Sequence, residues 1–162
     1  MSSDGPAIRD GESQLGFDPL ERVDAQIRFI GRIRTPWSRG NCPKNVTRAR
    51  ETGEGARVEL EPGFAEGLSG LAVGQGILLF YWMDQARRDL ITQRPRHHDT
   101  ARGTFALRSP NRVNLVSLAA VRITALDLVK GVIEIDAIDC FDGTPLVDIK
   151  PSAPAVDVPP NV

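Results

Sequence analysis

The chain has 162 residues, 41% of them apolar, which is enough for one domain with a real core. Its net charge of −1 excludes a uniformly basic, nucleic-acid-coating protein. Its longest apolar run, Ile77 to Met83, is far too short to span a bilayer as a helix, so no membrane association is expected.

Residues 1–24 are polar, with Gly, Ser and Asp scattered through them, and read as an N-terminal tail or loosely docked extension. No basic segment followed by an apolar one opens the chain, so no signal peptide and a cytoplasmic location are expected. Residues 25–151 carry the folded domain and residues 152–162 a Pro-rich tail. From Gln26 to Arg34, Ile27, Phe29 and Ile33 share one parity and Arg28, Arg32 and Arg34 the other, the pattern of a half-buried strand. Thr35 to Gly55 is rich in Pro, Gly, Asn and Arg and reads as a long loop. Ala56 to Leu60 suggests a strand, and Pro62 to Leu68 leaves room for one helical turn.

Gly76 to Met83 is a continuous apolar run that suits a buried strand. Arg87 to Arg102 reads as basic loop and Gly103 to Leu107 as a short strand. Leu115 to Leu126 is a longer strand, with Val116, Leu118, Ala120 and Leu126 on one parity. Val132 to Ile138 and Leu146 to Ile149 complete the set, and the prolines after Lys150 argue against helix or central strand. Six or seven short strands, long loops and no long amphipathic helix predict an all-β fold, a compact single-domain β-barrel. The α/β folds that bind nucleotide cofactors need helices between parallel strands, and this pattern has no place for them. Gly74-Gln75-Gly76 precedes a strand instead of following one, so it fails as a dinucleotide fingerprint.

Charge is segregated along the chain. Arg28 to Arg50 holds seven cations and no acid, and Gln85 to Leu126 holds eight arginines against Asp89 and Asp99. From Asp127 onward, seven acids face two lysines. Two readings stand: the basic segments combine into a phosphate-binding face, or their arginines alternate along exposed strands and pair with nearby acids. Cys42 and Cys140 are far apart in sequence and read as free thiols, too few to build a metal site.

Three stretches carry candidate chemistry. In Arg108-Ser109-Pro110-Asn111-Arg112-Val113-Asn114, two arginines flank a turn and can aim guanidinium groups at an anion, or the stretch is a plain surface turn. In Asp139-Cys140-Phe141-Asp142-Gly143-Thr144-Pro145, carboxylates bracket a strand end, where they can hold ribose hydroxyls or an amine, or simply shape a hairpin. Adjacent His97 and His98 point different ways in most backbones, so a shared metal is not expected and the stretch reads as solvated loop.

Gly103 to Asn114 resembles a Gly-Val-Phe-Ala-Thr-Arg-Ser-Pro-x-Arg-Pro-Asn signature, and Asp139 to Pro151 an Asp-x-x-Asp-Gly-Thr-Pro-x-x-Asp-Ile-Lys-Pro signature. Ile30-Gly31-Arg32-Ile33-Arg34-Thr35-Pro36 is similar to the strand that opens the same family. On these three motifs, in order, the chain is identified as a member of the TsaA-like group, also called YaeB-like or VirR-like, which includes the TrmO-type methyltransferases. The resemblance implies a β-barrel homodimer that binds S-adenosylmethionine near the subunit boundary and methylates threonylcarbamoyladenosine next to the tRNA anticodon. By position it assigns cofactor contacts to Pro43, Lys44, Asn45, Trp82, Met83, Asp84, Arg108, Leu118, Asp139, Cys140, Phe141 and Asp142. It assigns substrate contacts to Arg112, Asn114, Asp148 and Lys150, and no metal.

Departures from the family pattern fall at three places. Val113-Asn114-Leu115-Val116 stands where the family has Pro-Asn-Pro-Ile, Trp82-Met83 replaces Phe-His, and Ser152 replaces a tyrosine. The missing prolines leave the backbone less fixed, which keeps open a cofactor-binding regulatory module without turnover, or a methyltransferase on another substrate.

Overall fold

The computed structural model describes residues 7–161, and its contacts divide them into two compact units. The larger holds residues 28–82 and 118–162, and the smaller the chain up to Ile27 together with 83–117.

In the larger unit, β2 (Gly31–Arg34), β3 (Ala56–Leu60), β4 (Gly76–Trp82), β7 (Val116–Asp127, whose first two residues belong to the smaller unit), β8 (Val132–Ile135) and β9 (Thr144–Pro151) close a barrel. The strand order is β2-β3-β8-β7-β4-β9. Alternation sets which face turns inward. Ile33, Val58, Ile77, Leu79, Ile123, Ile133 and Leu146 are all fully buried and fill the interior. The larger unit thus bears out the all-β barrel.

The strand that the parity of Ile27, Phe29 and Ile33 suggests is shorter in the structure, covering only Gly31–Arg34, and Ile27 is exposed. Gly31 explains the tight pairing that follows: a Cβ there would meet the Glu59 carbonyl oxygen at 2.3 Å, so only glycine lets β2 approach β3 this closely. In β7 the buried residues are Ala119, Val121 and Ile123, so Val116, Leu118 and Ala120 share the outward parity. The expected loop between β2 and β3 contains a short helix, α1 (Val46–Glu51), capped by Asn45. A second, α2 (Pro154–Asp157), lies in the Pro-rich tail, where helix was not expected. Proline suits a first helical turn, whose N–H groups lack partners in any case, and the Asp157 carboxylate accepts the Ala153 N–H at 2.7 Å.

In the smaller unit, β1 (Ser13–Gln14), β5 (Leu90–Gln93) and β6 (Arg102–Gly103) form a three-stranded sheet in the order β1-β5-β6. The polar N-terminal segment is therefore tied down at Ser13 and Gln14, and Asp10 pairs with Arg94 at 3.1 Å. The strand expected over Gly103 to Leu107 is instead a 3-10 turn, Thr104–Ala106. Its cause is Thr104, whose buried hydroxyl donates to the Leu90 carbonyl at 2.8 Å and pulls the chain inward.

Candidate functional site

The register of the barrel gathers most of the barrel-borne candidates at one end. In β9, Thr144 lies opposite Ile33 of β2 and Leu146 opposite Tyr81 of β4. Asp139 to Asp142, which lead directly into β9, therefore share a rim with the end of β2 and with Trp82. Leu118, early in β7, lies toward the same rim, because β7 runs against β4 with Ile123 beside Gln75.

A dense set of backbone bonds fixes this rim. Thr35 donates its N–H to Asp142 Oδ1 at 3.1 Å and its hydroxyl to the Cys140 carbonyl at 2.9 Å. The Trp37 indole N–H donates to the Ile138 carbonyl at 3.0 Å, and Asp142 returns its own N–H to the Trp37 carbonyl at 2.8 Å. Arg34 approaches the other Asp142 oxygen at 3.3 Å. The carboxylate of Asp142 is thus committed to holding two motifs together, and it lines a polar cleft of about 410 Å³ with Arg34, Thr35, Arg57 and Glu134.

Beyond Trp37 the chain turns through Ser38 and Asn41, and the Arg39 guanidinium sits 6.0 Å from the Phe141 ring centre. Cys42 follows, half-buried. Burial pushes its thiol up to about 11, and the Asp139 carboxylate adds to the rise. Burial drives the Cys140 thiol higher still, and both cysteines are free. Pro43 is half-buried and Lys44 exposed. The Asn45 side-chain oxygen caps α1 by accepting the Arg48 N–H at 2.9 Å.

A six-residue helix is not stable alone, and α1 is anchored twice. Ala49 is fully buried, and Arg50 donates to Asp136 Oδ2 and to the Ala120 carbonyl, each at 2.7 Å. For Asp136, burial pulls upward but is outweighed by the Arg122 N–H and the Arg50 guanidinium, which hold the carboxyl below its ordinary value. Sequence reading missed this anchor, because nothing in the spacing of Arg50 and Asp136 links them.

Asp148 and Lys150 are not brought to the rim. They lie opposite Phe80 and Leu78, about 13 and 20 Å along β9 from Thr144 at the usual rise per residue. Asp148 instead borders an apolar groove of about 530 Å³ with Leu60, Phe64, Leu68 and Ile149.

In the smaller unit, the Met83 N–H donates to the Leu115 carbonyl at 2.8 Å, and Asp84 is exposed. Arg108 and Asn114 are exposed as well. Arg112 is half-buried and turned back on its own loop, donating to the Leu107 carbonyl at 2.7 Å and the Ser109 carbonyl at 3.2 Å. It braces the Ser-Pro-Asn turn. Gln93, also buried, donates to Thr104 Oγ1 and to the Asn111 carbonyl, each at 2.8 Å.

The model of the tRNA-methyltransferase O N-terminal domain family matches residues 32–158. The chain belongs to this family. It is 35% identical over 132 residues to a probable S-adenosyl-L-methionine-binding protein of Archaeoglobus fulgidus, a match that covers 82% of this chain and 35% of the relative. The same identity over 132 residues relates it to the probable S-adenosyl-L-methionine-binding protein VirR of Rhizobium radiobacter, covering 81% of this chain and 73% of VirR. The crystal structure of TrmO from Pseudomonas aeruginosa superposes with a TM-score of 0.65 at 26% identity, covering 86% of this chain and 61% of that one. The chain thus spans about a third of the Archaeoglobus relative and three fifths of the Pseudomonas TrmO chain. The family match begins within β2, so the N-terminal segment that supplies β1 lies outside it. No helix among the described residues is long and apolar enough to cross a membrane.

Proposed function

We propose that this TrmO-family chain binds S-adenosylmethionine at the barrel rim and transfers its methyl group to a tRNA base, threonylcarbamoyladenosine next to the anticodon. The observation that carries the reading is the interlock of Thr35 with Cys140 and Asp142, which joins two of the three family motifs at one rim.

The donor set suits the cofactor's chemistry. Lys44 offers a cation for the amino-acid carboxylate, Asp139 an anion for its ammonium group, and the Asn45 amide a neutral donor. Trp82, Leu118 and Phe141 offer apolar surface for the adenine, with Pro43 and Cys140 shaping the backbone around it. Met83, Asp84 and Arg108 are proposed contacts from the smaller unit, as are Arg112 and Asn114 for substrate. Asp148 and Lys150 are proposed for substrate as well, away from the rim.

When bound, S-adenosylmethionine supplies an electrophilic methyl group on a sulfonium. The protein's part is to hold donor and acceptor in line, since displacement at a methyl carbon needs collinear approach and no metal. The acceptor nitrogen loses its proton as the new bond forms. Asp142, already committed to Thr35 and Arg34, is a poor candidate to receive it.

The same reading takes residues 25–151 as the catalytic domain, between an N-terminal extension (1–24) and a C-terminal tail (152–162), working as a homodimer in the cytoplasm with the cofactor near the subunit boundary. A second reading, a cofactor-binding regulatory module without turnover, is favoured by Val113 and Leu115, which replace the prolines that stiffen the family's turn. Labelled S-adenosylmethionine and total tRNA distinguish the two. Label should enter tRNA that carries the threonylcarbamoyl group and not tRNA that lacks it, and binding should weaken steeply as salt rises. Normal cofactor binding with no labelled tRNA at low or physiological salt supports the module instead.

A further inference from the structure

Thr104 and Phe105 are neighbours in sequence and opposites in environment. Thr104 is 1% exposed and Phe105 76% exposed. The contrast is built in. Thr104 Oγ1 donates to the Leu90 carbonyl and accepts from Gln93, itself 4% exposed, which also donates to the Asn111 carbonyl. The Leu107 N–H closes the turn on the Thr104 carbonyl at 3.2 Å. Phe105 cannot turn inward without breaking this buried network, so its ring is held out by a rigid turn.

An exposed arginine stands close to the ring in the chain. Arg102 lies three residues before it in β6, opposite Gln93, and is exposed without an ion pair among the described residues. The β5–β6 connection, at the far end of the hairpin, carries exposed Arg96 with one acid, Asp99, whereas Arg94 is taken up by Asp10. A rigid exposed aromatic ring with an exposed arginine three residues away matches the chemistry of an unpaired nucleobase and its flanking phosphate. The ring stacks on the base, and the guanidinium group meets the backbone.

We infer that Phe105 is a stacking platform for an unpaired base of a loop or single-stranded RNA, with Arg102 contacting an adjoining phosphate. This rests on the reading of tRNA as acceptor and adds a residue that selects looped over duplex RNA. Base-paired RNA keeps its bases within the helix and offers nothing to stack on the ring.

The test compares a short hairpin RNA carrying 2-aminopurine in its loop with the same sequence annealed to its complement, using the full chain. The wild-type protein should quench the loop fluorophore and prefer the hairpin. Phe105→Ala should lose the quench and weaken hairpin binding about ten- to a hundredfold, with duplex binding and S-adenosylmethionine binding unchanged. Phe105→Tyr should restore both quench and affinity, and Arg102→Ala should reduce the dependence of binding on salt. Because Phe105 is exposed, the Ala variant should melt with the wild type. If wild type prefers the hairpin and Phe105→Ala binds it equally well, the stacking role is wrong and the acceptor reading survives. If Phe105→Ala instead converts a dimer to monomers in sedimentation, the ring is a subunit contact and the inference is overturned. If wild type binds neither RNA, the acceptor reading fails and the stacking role with it.

Discussion

The Thr35 N–H donates to Asp142 Oδ1 at 3.1 Å, across 107 residues of sequence. This bond joins the end of β2 to the turn that enters β9. Asp142→Ala should therefore loosen the rim and also weaken cofactor binding. Its side chain is 44% exposed, so solvent screening limits the stability cost to about 1 kcal/mol. Asp142→Asn keeps one acceptor oxygen and should recover most of the loss. Urea unfolding with both variants checks this; equal destabilisation by Ala and Asn would show that charge, not the hydrogen bond, holds the rim.

Arg50 and Asp136 act at a distance from the rim. Arg50→Ala removes the tie between α1 and the barrel and frees the helix that Asn45 caps. A cost of about 1 kcal/mol is expected for this half-exposed pair. Hydrogen exchange should report faster exchange over residues 46–52 than elsewhere in the barrel. Uniform acceleration would show that Arg50 supports the whole fold instead of the helix.

The two thiols should differ from ordinary cysteines and from each other. Burial raises the Cys42 thiol to about 11 and so suppresses its thiolate at neutral pH, the reactive form. Alkylation of Cys42 should be slow at pH 7 and accelerate as pH rises toward 11. Cys140, buried beneath the rim, should react only on unfolding. Mass spectrometry after timed iodoacetamide treatment reads both sites; rapid labelling of Cys42 at pH 7 would contradict its environment.

Asp89 should contribute to the acid sensitivity of the smaller unit. Hydrogen bonds from Arg87, opposed by partial burial and aided by Gln14, lower its carboxyl from 3.8 to about 2. The folded value lies below the unfolded one, so the stabilisation is present above about pH 4 and is lost as pH falls through about 2. Its size is at most about 2 kcal/mol. Asp89→Asn should flatten the acid limb of stability between pH 4 and 2, measured by urea unfolding across that range. An unchanged limb would place the acid sensitivity elsewhere.

The barrel was legible because its strands obey period-two alternation around Ile33, Val58, Leu79 and Ile133, and this alternation dictates burial in any half-buried strand. What escaped reading depends on bonds between distant residues. Thr104 looks like strand sequence until its hydroxyl finds the Leu90 carbonyl, and Pro154 looks like a helix breaker until Asp157 caps the turn it opens. In β7 both parities are apolar, so the pattern did not tell Leu118 from Ala119, and closure of the barrel decided which turned inward. The site was legible as three motifs, but their roles were not. Arg112 looks like an anion ligand and braces its own loop, and Asp142 looks like a free carboxylate and ties two motifs together.

Calorimetric titration of S-adenosylmethionine into the wild-type protein and into Asp139→Asn and Lys44→Ala tests the central claim most directly. The account predicts binding by wild type and about ten- to a hundredfold weaker binding by each variant, the usual loss for one charged hydrogen-bond partner. Lys44→Ala should melt with the wild type, since the Lys44 side chain is exposed. Wild-type affinity in both variants would contradict the assignment of the cofactor to this rim.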